Sequence, residues 1–387
     1  MRFNYGSNFW LMSLSMFFFM MSFNLIMPEL NGFLTALGSS ELKGLIITLF
    51  TISAGISRPF SGKLADVVGR KASIYVGILI CIIVSITYPI AQSLLFFFVL
   101  RFLHGFSAGF MPTGATALVT DVLPEQSRGQ AMGIWGTFIS LGIGIGQALG
   151  SWVFIQTNYT FLFGLSGFIC LISLVLATFV KETLKEKESF QIKVFKIQWK
   201  DVIEPSVFPA AVVMFLTAAS SGIIFVITPD ISNFLGINNK GWFFGIYVIS
   251  TILIRLFSGS LSDKIGRRKT LLIGNLFLIL AMILIGLSTS VNTYTFAAII
   301  FGCATGISSP TLFAWTADLS NIRRRGVGAG TMFIALEGGI MLGSLSTLLF
   351  YDSTMNTILI SFLFGAFLAL VASIYLVWHL TNRKSLF

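Results

Sequence analysis

Apolar runs long enough to cross a bilayer recur along almost the whole chain, separated by short stretches carrying charges, prolines or glycine clusters. A membrane helix needs about 20 mostly apolar residues. Cutting the runs at those punctuation points predicts twelve helices, over 9–30, 42–61, 72–91, 94–119, 129–154, 160–180, 206–234, 241–259, 270–289, 293–317, 326–350 and 355–379. The expected fold class is an all-α membrane protein. The first run ends in Pro28-Glu29 without a small-residue cleavage pattern, so a retained helix is expected there rather than a signal peptide.

The only long polar stretch, 181–204, divides the chain into six spans and six spans. It reads as a linker between an N-terminal bundle, 1–180, and a C-terminal bundle, 205–387. Lys and Arg are retained on the cytoplasmic side of a membrane. Of the 25 such residues, 20 fall on the face shared by both termini and the 2–3, 4–5, 6–7, 8–9 and 10–11 connections. Lys43 and Lys240 lie on the other face, and Arg58, Arg101 and Arg255 lie within spans. Both termini are therefore expected to be cytoplasmic, in a multi-pass protein of the cytoplasmic (inner) cell membrane.

Composition agrees and narrows the function. Only 10% of the 387 residues are charged and 55% are hydrophobic, against roughly 25% charged in a soluble domain, which leaves no room for a large soluble enzyme. The net charge of +10 is accounted for by topology, so no nucleic-acid partner is expected. Cys81, Cys170 and Cys303 lie far apart in apolar runs, without metal-ligand spacing. With no phosphate-binding loop or nucleophile elbow, the expectation is neither enzyme nor cofactor nor metal.

An internal repeat organises the chain: residue i matches residue i+197 without a gap over about a hundred positions. Residues 44–77 align with 241–274 at 12 identities in 34 positions. The register continues through Gly105/Gly302, Asp121/Asp318, Arg128/Arg325, Gly142/Gly339 and Gly146/Gly343. Six spans separate the copies, so the halves are parallel repeats, the organisation of a transporter that rocks two bundles around a midplane site.

Three segments then carry a family resemblance. GKLADVVGRK at 62–71, with its second copy GSLSDKIGRR at 259–268, is similar to the loop 2–3 signature of the major facilitator superfamily. RFLHGFSAGF at 101–110 resembles the fourth-helix signature of its proton-coupled members, and GIGIGQALGS at 142–151 the glycine-rich fifth-helix signature of antiporters, with Gln147 where that pattern usually has proline. The resemblance implies the twelve-helix fold and a cytoplasmic gate network of Asp66, Arg70, Asp121 and Arg128, with Asp263, Arg267, Asp318 and Arg325 in the second half. The residues themselves suggest that Gly62 and Gly69 permit a sharp turn and that Asp66 accepts backbone N–H groups at a helix start.

Charges inside the apolar spans are the candidates for substrate or proton chemistry, because such a group must face protein or a water-filled cavity. Glu337 lies eleven residues into its span, roughly 16 Å deep and close to the midplane. A carboxylate there is either protonated or paired with a cation. Arg101 has Ala298 as its repeat partner and Glu337 has Ser140, so both break the symmetry. His104, one turn from Arg101, can bind or relay a proton or serve only in helix packing. Glu29 and Asp230 follow prolines near the outer ends of spans 1 and 7; each reads as an interfacial acid or, for Glu29, as a partner of Arg101. Arg58 and Arg255 obey the repeat and read as helix-end anchors or cavity charges. Gly142, Gly146 and Gly150, with Gly339 and Gly343, form flat strips for helix packing, and Trp135 and Trp315 are packing or gate residues.

The expected function is secondary transport of a small organic solute by alternating access. The resemblance implies proton-coupled efflux, by antiport, of a drug-like compound or metabolite, with the chain acting as a monomer. Uptake or facilitated diffusion of an anionic metabolite, and a lipid flippase or a transport-derived sensor, are the alternatives.

Overall fold

The computed structural model of the chain describes residues 5–123, 128–191, 196–198, 202–320 and 325–382; the side chains at 128–130, 256–257, 259–260, 325–326 and 381–382 lie outside that description. Among the described residues the regular elements are helical. They are α1 (Ser7–Ile26), α2 (Leu30–Ala36), α3 (Lys43–Val67), α4 (Arg70–Thr87), α5 (Leu94–Val122), α6 (Arg128–Gln156), α7 (Tyr159–Phe179), α8 (Phe208–Phe234), α9 (Trp242–Ile265), α10 (Arg267–Gly286), α11 (Val291–Leu319), α12 (Arg325–Phe350) and α13 (Met355–Asn382), with short 3-10 turns between some of them.

Local chemistry sets several of these boundaries. Ser93, Asn158 and Ser290 open α5, α7 and α11, each side chain accepting a backbone N–H from the residue three positions on. Such a cap satisfies a donor that the first helical turn leaves free. Pro28 lacks an N–H, and the first apolar run passes there through a 3-10 turn, Met27–Glu29, before resuming as α2. Gly69 and Gly266, one repeat apart, join α3 to α4 and α9 to α10 with φ of 150° and 90°, values open to glycine but strained for other residues. Gly62 does not turn the chain: α3 runs through it to Val67.

Eleven helical stretches among the described residues are long and apolar enough to cross a membrane. The span expected at 241–259 is a continuous helix, α9, whose apolar part, Trp242–Arg255, is shorter. Beyond Arg255 the helix carries Ser258, Ser262, Asp263 and Lys264, which end its apolar stretch.

Contacts divide the chain into two compact units, Met1–Gly38 with Ile52–Trp199, and Ser39–Thr51 with Lys200–Phe387. Helix α3 thus begins in the second unit and continues in the first. In the first unit α1 packs on α6 and α7, and α4 on α5 and α7. The second unit repeats these pairings, α8 on α12 and α13, and α10 on α11 and α13. Trp135 sits in the first core with Phe19, Ile78 and Met111, and Trp315 in the second with Val213, Leu271 and Leu376. Both tryptophans therefore serve packing within their own unit.

The glycine strips lie at two equivalent crossings. A Cβ on Gly142, Gly146 or Gly150 of α6 would meet the carbonyl oxygens of Phe17, Met21 and Leu25 on α1. A Cβ on Gly339 or Gly343 of α12 would meet those of Phe215 and Ala219 on α8. The hydrogen-bonding also follows the repeat: Ser61 donates to the Gly109 carbonyl at 2.8 Å, and Ser258 to the Gly306 carbonyl at 2.9 Å.

Candidate functional site

Three polar groupings stand out from this apolar scaffold. The first gathers around the α3–α4 turn. Arg70 Nε donates to Asp121 Oδ2 at 3.0 Å, while its Nη1 donates across the Gly69 turn to the Asp66 carboxylate in the last turn of α3 and to the Ala65 carbonyl at 3.1 Å. The copy at the α9–α10 turn reproduces the fork: Arg267 Nε reaches Asp318 Oδ2 at 3.0 Å and Nη1 reaches Asp263 Oδ1 at 2.5 Å. Asp66 and Asp263 are 69% and 68% exposed, so each of these pairs contributes only about 0–1 kcal/mol. Their geometric value is that one planar guanidinium ties two helices together. The side chains of Arg128 and Arg325 lie outside the described residues.

The start of α4 is capped by a residue that the motif does not contain. The backbone N–H groups of Arg70 and Lys71 donate to Glu182 at 3.2 and 3.0 Å, and Asp66 binds the Arg70 guanidinium instead. Thr183 donates to Asp121 Oδ2 at 2.7 Å. Lys71 Nζ reaches the Thr178 and Val180 carbonyls at 3.1 and 2.7 Å, closing the C-terminal end of α7. Partial burial raises the pKa of Glu182, but backbone N–H donors from Leu184, Lys71, Thr183 and Arg70 outweigh it and hold the carboxyl below its ordinary range. Glu182 was readable only as one charge among the many of the linker.

The second grouping is buried in the first unit. Arg101 is 1% exposed; its Nη1 donates to Tyr88 Oη at 3.4 Å and its Nη2 to Met27 Sδ at 3.9 Å. Tyr88 Oη lies 3.3 Å from His104 Nδ1, and His104 Nε2 lies 3.3 Å from Cys81 Sγ. A guanidinium can only donate, so Tyr88 Oη accepts from Arg101, while the donor and acceptor roles along Tyr88, His104 and Cys81 follow the His104 tautomer. Glu29, also 1% exposed, accepts from Ser151 Oγ at 2.7 Å. Gln147 Nε2 donates to Asn24 Oδ1 at 3.1 Å, giving the residue at the departure from the glycine signature a place in the α1–α6 crossing.

The third grouping belongs to the second unit. Lys43 Nζ lies 2.6 Å from Asp230 Oδ2, and Tyr351 donates to the same oxygen at 2.8 Å. Glu337 is 9% exposed on α12, beside Gly338 and Gly339, which approach Phe215 of α8. Arg255 is half-buried on α9, its Nη2 3.5 Å from Ser309 Oγ; its repeat counterpart Arg58, in the first unit, is half-buried on α3. The structure thus adds Glu182, Tyr88, Cys81, Lys43 and Tyr351 to the residues singled out from sequence. Of these, only Lys43 stands out locally, as one of two lysines on the face opposite the positively charged connections.

Comparison with known proteins places this architecture. The family profile described as Major Facilitator Superfamily matches residues 12–239 and 210–386. Multidrug resistance protein 2 of Bacillus subtilis is 27% identical over 378 residues, covering 92% of this chain and 90% of its own length. Quinolone resistance protein NorA of Staphylococcus aureus is 24% identical over 212 residues, covering 53% and 54% of the two chains. Among solved structures, the human organic anion transporter MFSD10 aligns with a TM-score of 0.74 at 18% identity, over 96% of this chain and 99% of the other. That likeness is one of fold.

Proposed function

As the chain belongs to the Major Facilitator Superfamily of membrane transporters, we propose that it exports a small drug-like organic compound or metabolite in exchange for protons, by alternating access. The observation that carries this reading is Glu337, a carboxylate 9% exposed midway along an apolar helix, where protonation and cation pairing compete. The full-length similarity to a multidrug resistance protein supports the drug-like class of solute. In this reading Glu337 binds the coupling proton or a cationic group of the solute, and Arg101, positioned by Tyr88, adds a fixed charge in the first bundle. Two six-helix halves, 1–180 and 205–387, move around the midplane with both termini in the cytoplasm, and the Arg70 and Arg267 forks latch the cytoplasmic side.

Arg101, 1% exposed, and Arg255 favour a second reading, uptake of an organic anion, the solute class named for the human structural neighbour. The test uses cells expressing the chain, loaded with a panel of fluorescent cationic and anionic compounds. Energised efflux of a cationic compound, abolished by a protonophore and by E337Q at equal expression, is the expected result. Energy-dependent accumulation of an anion with E337Q fully active would replace efflux by the second reading.

A further inference from the structure

One crossing in the second unit departs from its copy in the first. Gly77 of α4 lies so close to α5 that a Cβ would strike the backbone nitrogen and Cβ of Met111, and Ile78 beside it is buried in the same apolar core as Met111. One repeat on, Gly274 of α10 faces Ser308 of α11, and Asn275 takes the place of Ile78. Both exchanges put a polar side chain where the first unit has an apolar one, and serine is also much shorter than methionine.

Neither polar group finds protein to bond. Asn275 is 0% exposed, and its Nδ2 and Oδ1 have no hydrogen-bond partner among the described residues. The same holds for Ser308 Oγ, which is shut off from solvent. A carboxamide offers two donors and an acceptor oxygen, and burying it unbonded carries a desolvation cost that nothing returns. Its helix neighbours give no help: Leu271 and Leu278, one turn to either side, are buried, and Leu271 belongs to an apolar core with Val213 of α8, Leu312 of α11 and Ala372 of α13. Buried serines of α1 and α7 settle their bonds within the protein instead. Ser15 and Ser173 donate to each other's carbonyls at 2.9 and 2.7 Å, as Ser22 and Ser166 do at 2.8 and 2.9 Å.

We infer that Asn275 and Ser308 form a site for buried water inside the second unit, bridging α10 to α11. Water brings both donors and acceptors, and a buried molecule needs two to four polar partners, which one amide and one hydroxyl provide. Such a bridge is nearly as good in enthalpy as a direct hydrogen bond. It also re-forms after the two helices slide slightly, whereas Met111 is interlocked with Gly77. The α10–α11 crossing is therefore the looser of the two copies, a property independent of which solute the chain carries.

The test reads water contact at Asn275 directly. The full chain is made with isotope-labelled asparagine, placed in lipid vesicles and followed by magic-angle-spinning NMR, with magnetisation starting on water protons and passing to nearby side-chain amides. The Asn275 signal is the one lost in N275I and in N275D; the exposed Asn158, lost in N158D, sets the rate for full water contact. Asn275 should be fed within about threefold of the Asn158 rate, and S308M, which restores the methionine of the first unit, should slow it at least about threefold. Should S308M not remain monodisperse, S308L makes the same change. A parental Asn275 signal slower than that limit, or one that the variant slows by less, would overturn the water site. Neither solute nor gradient enters the measurement, so its failure leaves efflux standing and a failure of efflux leaves the water site standing.

Discussion

Replacing Gly150 by alanine should destabilise the protein, whereas the same replacement at Gly133, on the same helix, should not. A Cβ on Gly150 would overlap the Leu25 carbonyl oxygen and carbon of α1, and backbone atoms cannot swing aside as a side chain can. Relief requires α1 and α6 to move apart along a seam that also includes Gly142 against Phe17 and Gly146 against Met21. Overpacking of this kind costs about 1–3 kcal/mol, and a rigid obstacle points to the upper end. Alanine recovers about 1 kcal/mol through its higher helix propensity, leaving a net loss of about 2 kcal/mol. A Cβ on Gly133 meets nothing within 4 Å, so that variant keeps the propensity gain of up to about 1 kcal/mol. Thermal unfolding in one detergent, followed by thiol-reactive dye uptake or loss of the monodisperse peak, should show Gly150→Ala melting clearly below the parent and Gly133→Ala at or above it. Equal midpoints for the two variants would refute the account of the glycine seam.

The remaining predictions concern the polar groupings. Because the pKa of Glu182 is depressed in the folded protein, its contribution to docking residues 182–184 is fully present above the ordinary carboxylate pKa and is lost as pH falls through the lowered value. Amide exchange at Arg70 and Lys71 should stay slow down through about pH 4 and quicken below it, once corrected for intrinsic rates, while E182Q should be quick throughout. Tyr88→Phe keeps the ring packing but removes the hydroxyl between Arg101 and His104, leaving buried donors and acceptors short of a partner at a cost of about 1–3 kcal/mol. Its melting point in detergent should fall below the parent's, and an unchanged midpoint would show that the hydroxyl adds nothing to the Arg101–His104 chain.

Most of the fold was legible because membrane helices and their boundaries are local features. Apolar runs, capping residues such as Ser93 and Asn158, and the offset of 197 residues all lie in the linear pattern, and α8–α12 packing repeats α1–α6 packing as that offset implies. What escaped was settled by distance in the chain. Glu182 caps a helix that starts 112 residues earlier, and Lys43 meets Asp230 across 187 residues. No local pattern encodes which acid reaches which base. Gly62 misled for the opposite reason: its place in a loop signature suggested a turn, while the helical hydrogen-bonding of α3 continues past it to Val67. Asp66 sits in the last turn of that helix rather than at the next helix start, which is why it binds Arg70 and leaves the N–H groups to Glu182.

The central claim, exchange of protons for an organic solute, is tested most directly with purified protein in sealed vesicles. Solute and proton fluxes are measured together under an imposed pH gradient, with E337Q alongside. The account predicts opposed fluxes of fixed ratio, driven by the gradient in the wild-type protein and absent in E337Q. Parallel fluxes, or solute movement indifferent to the gradient, would contradict it.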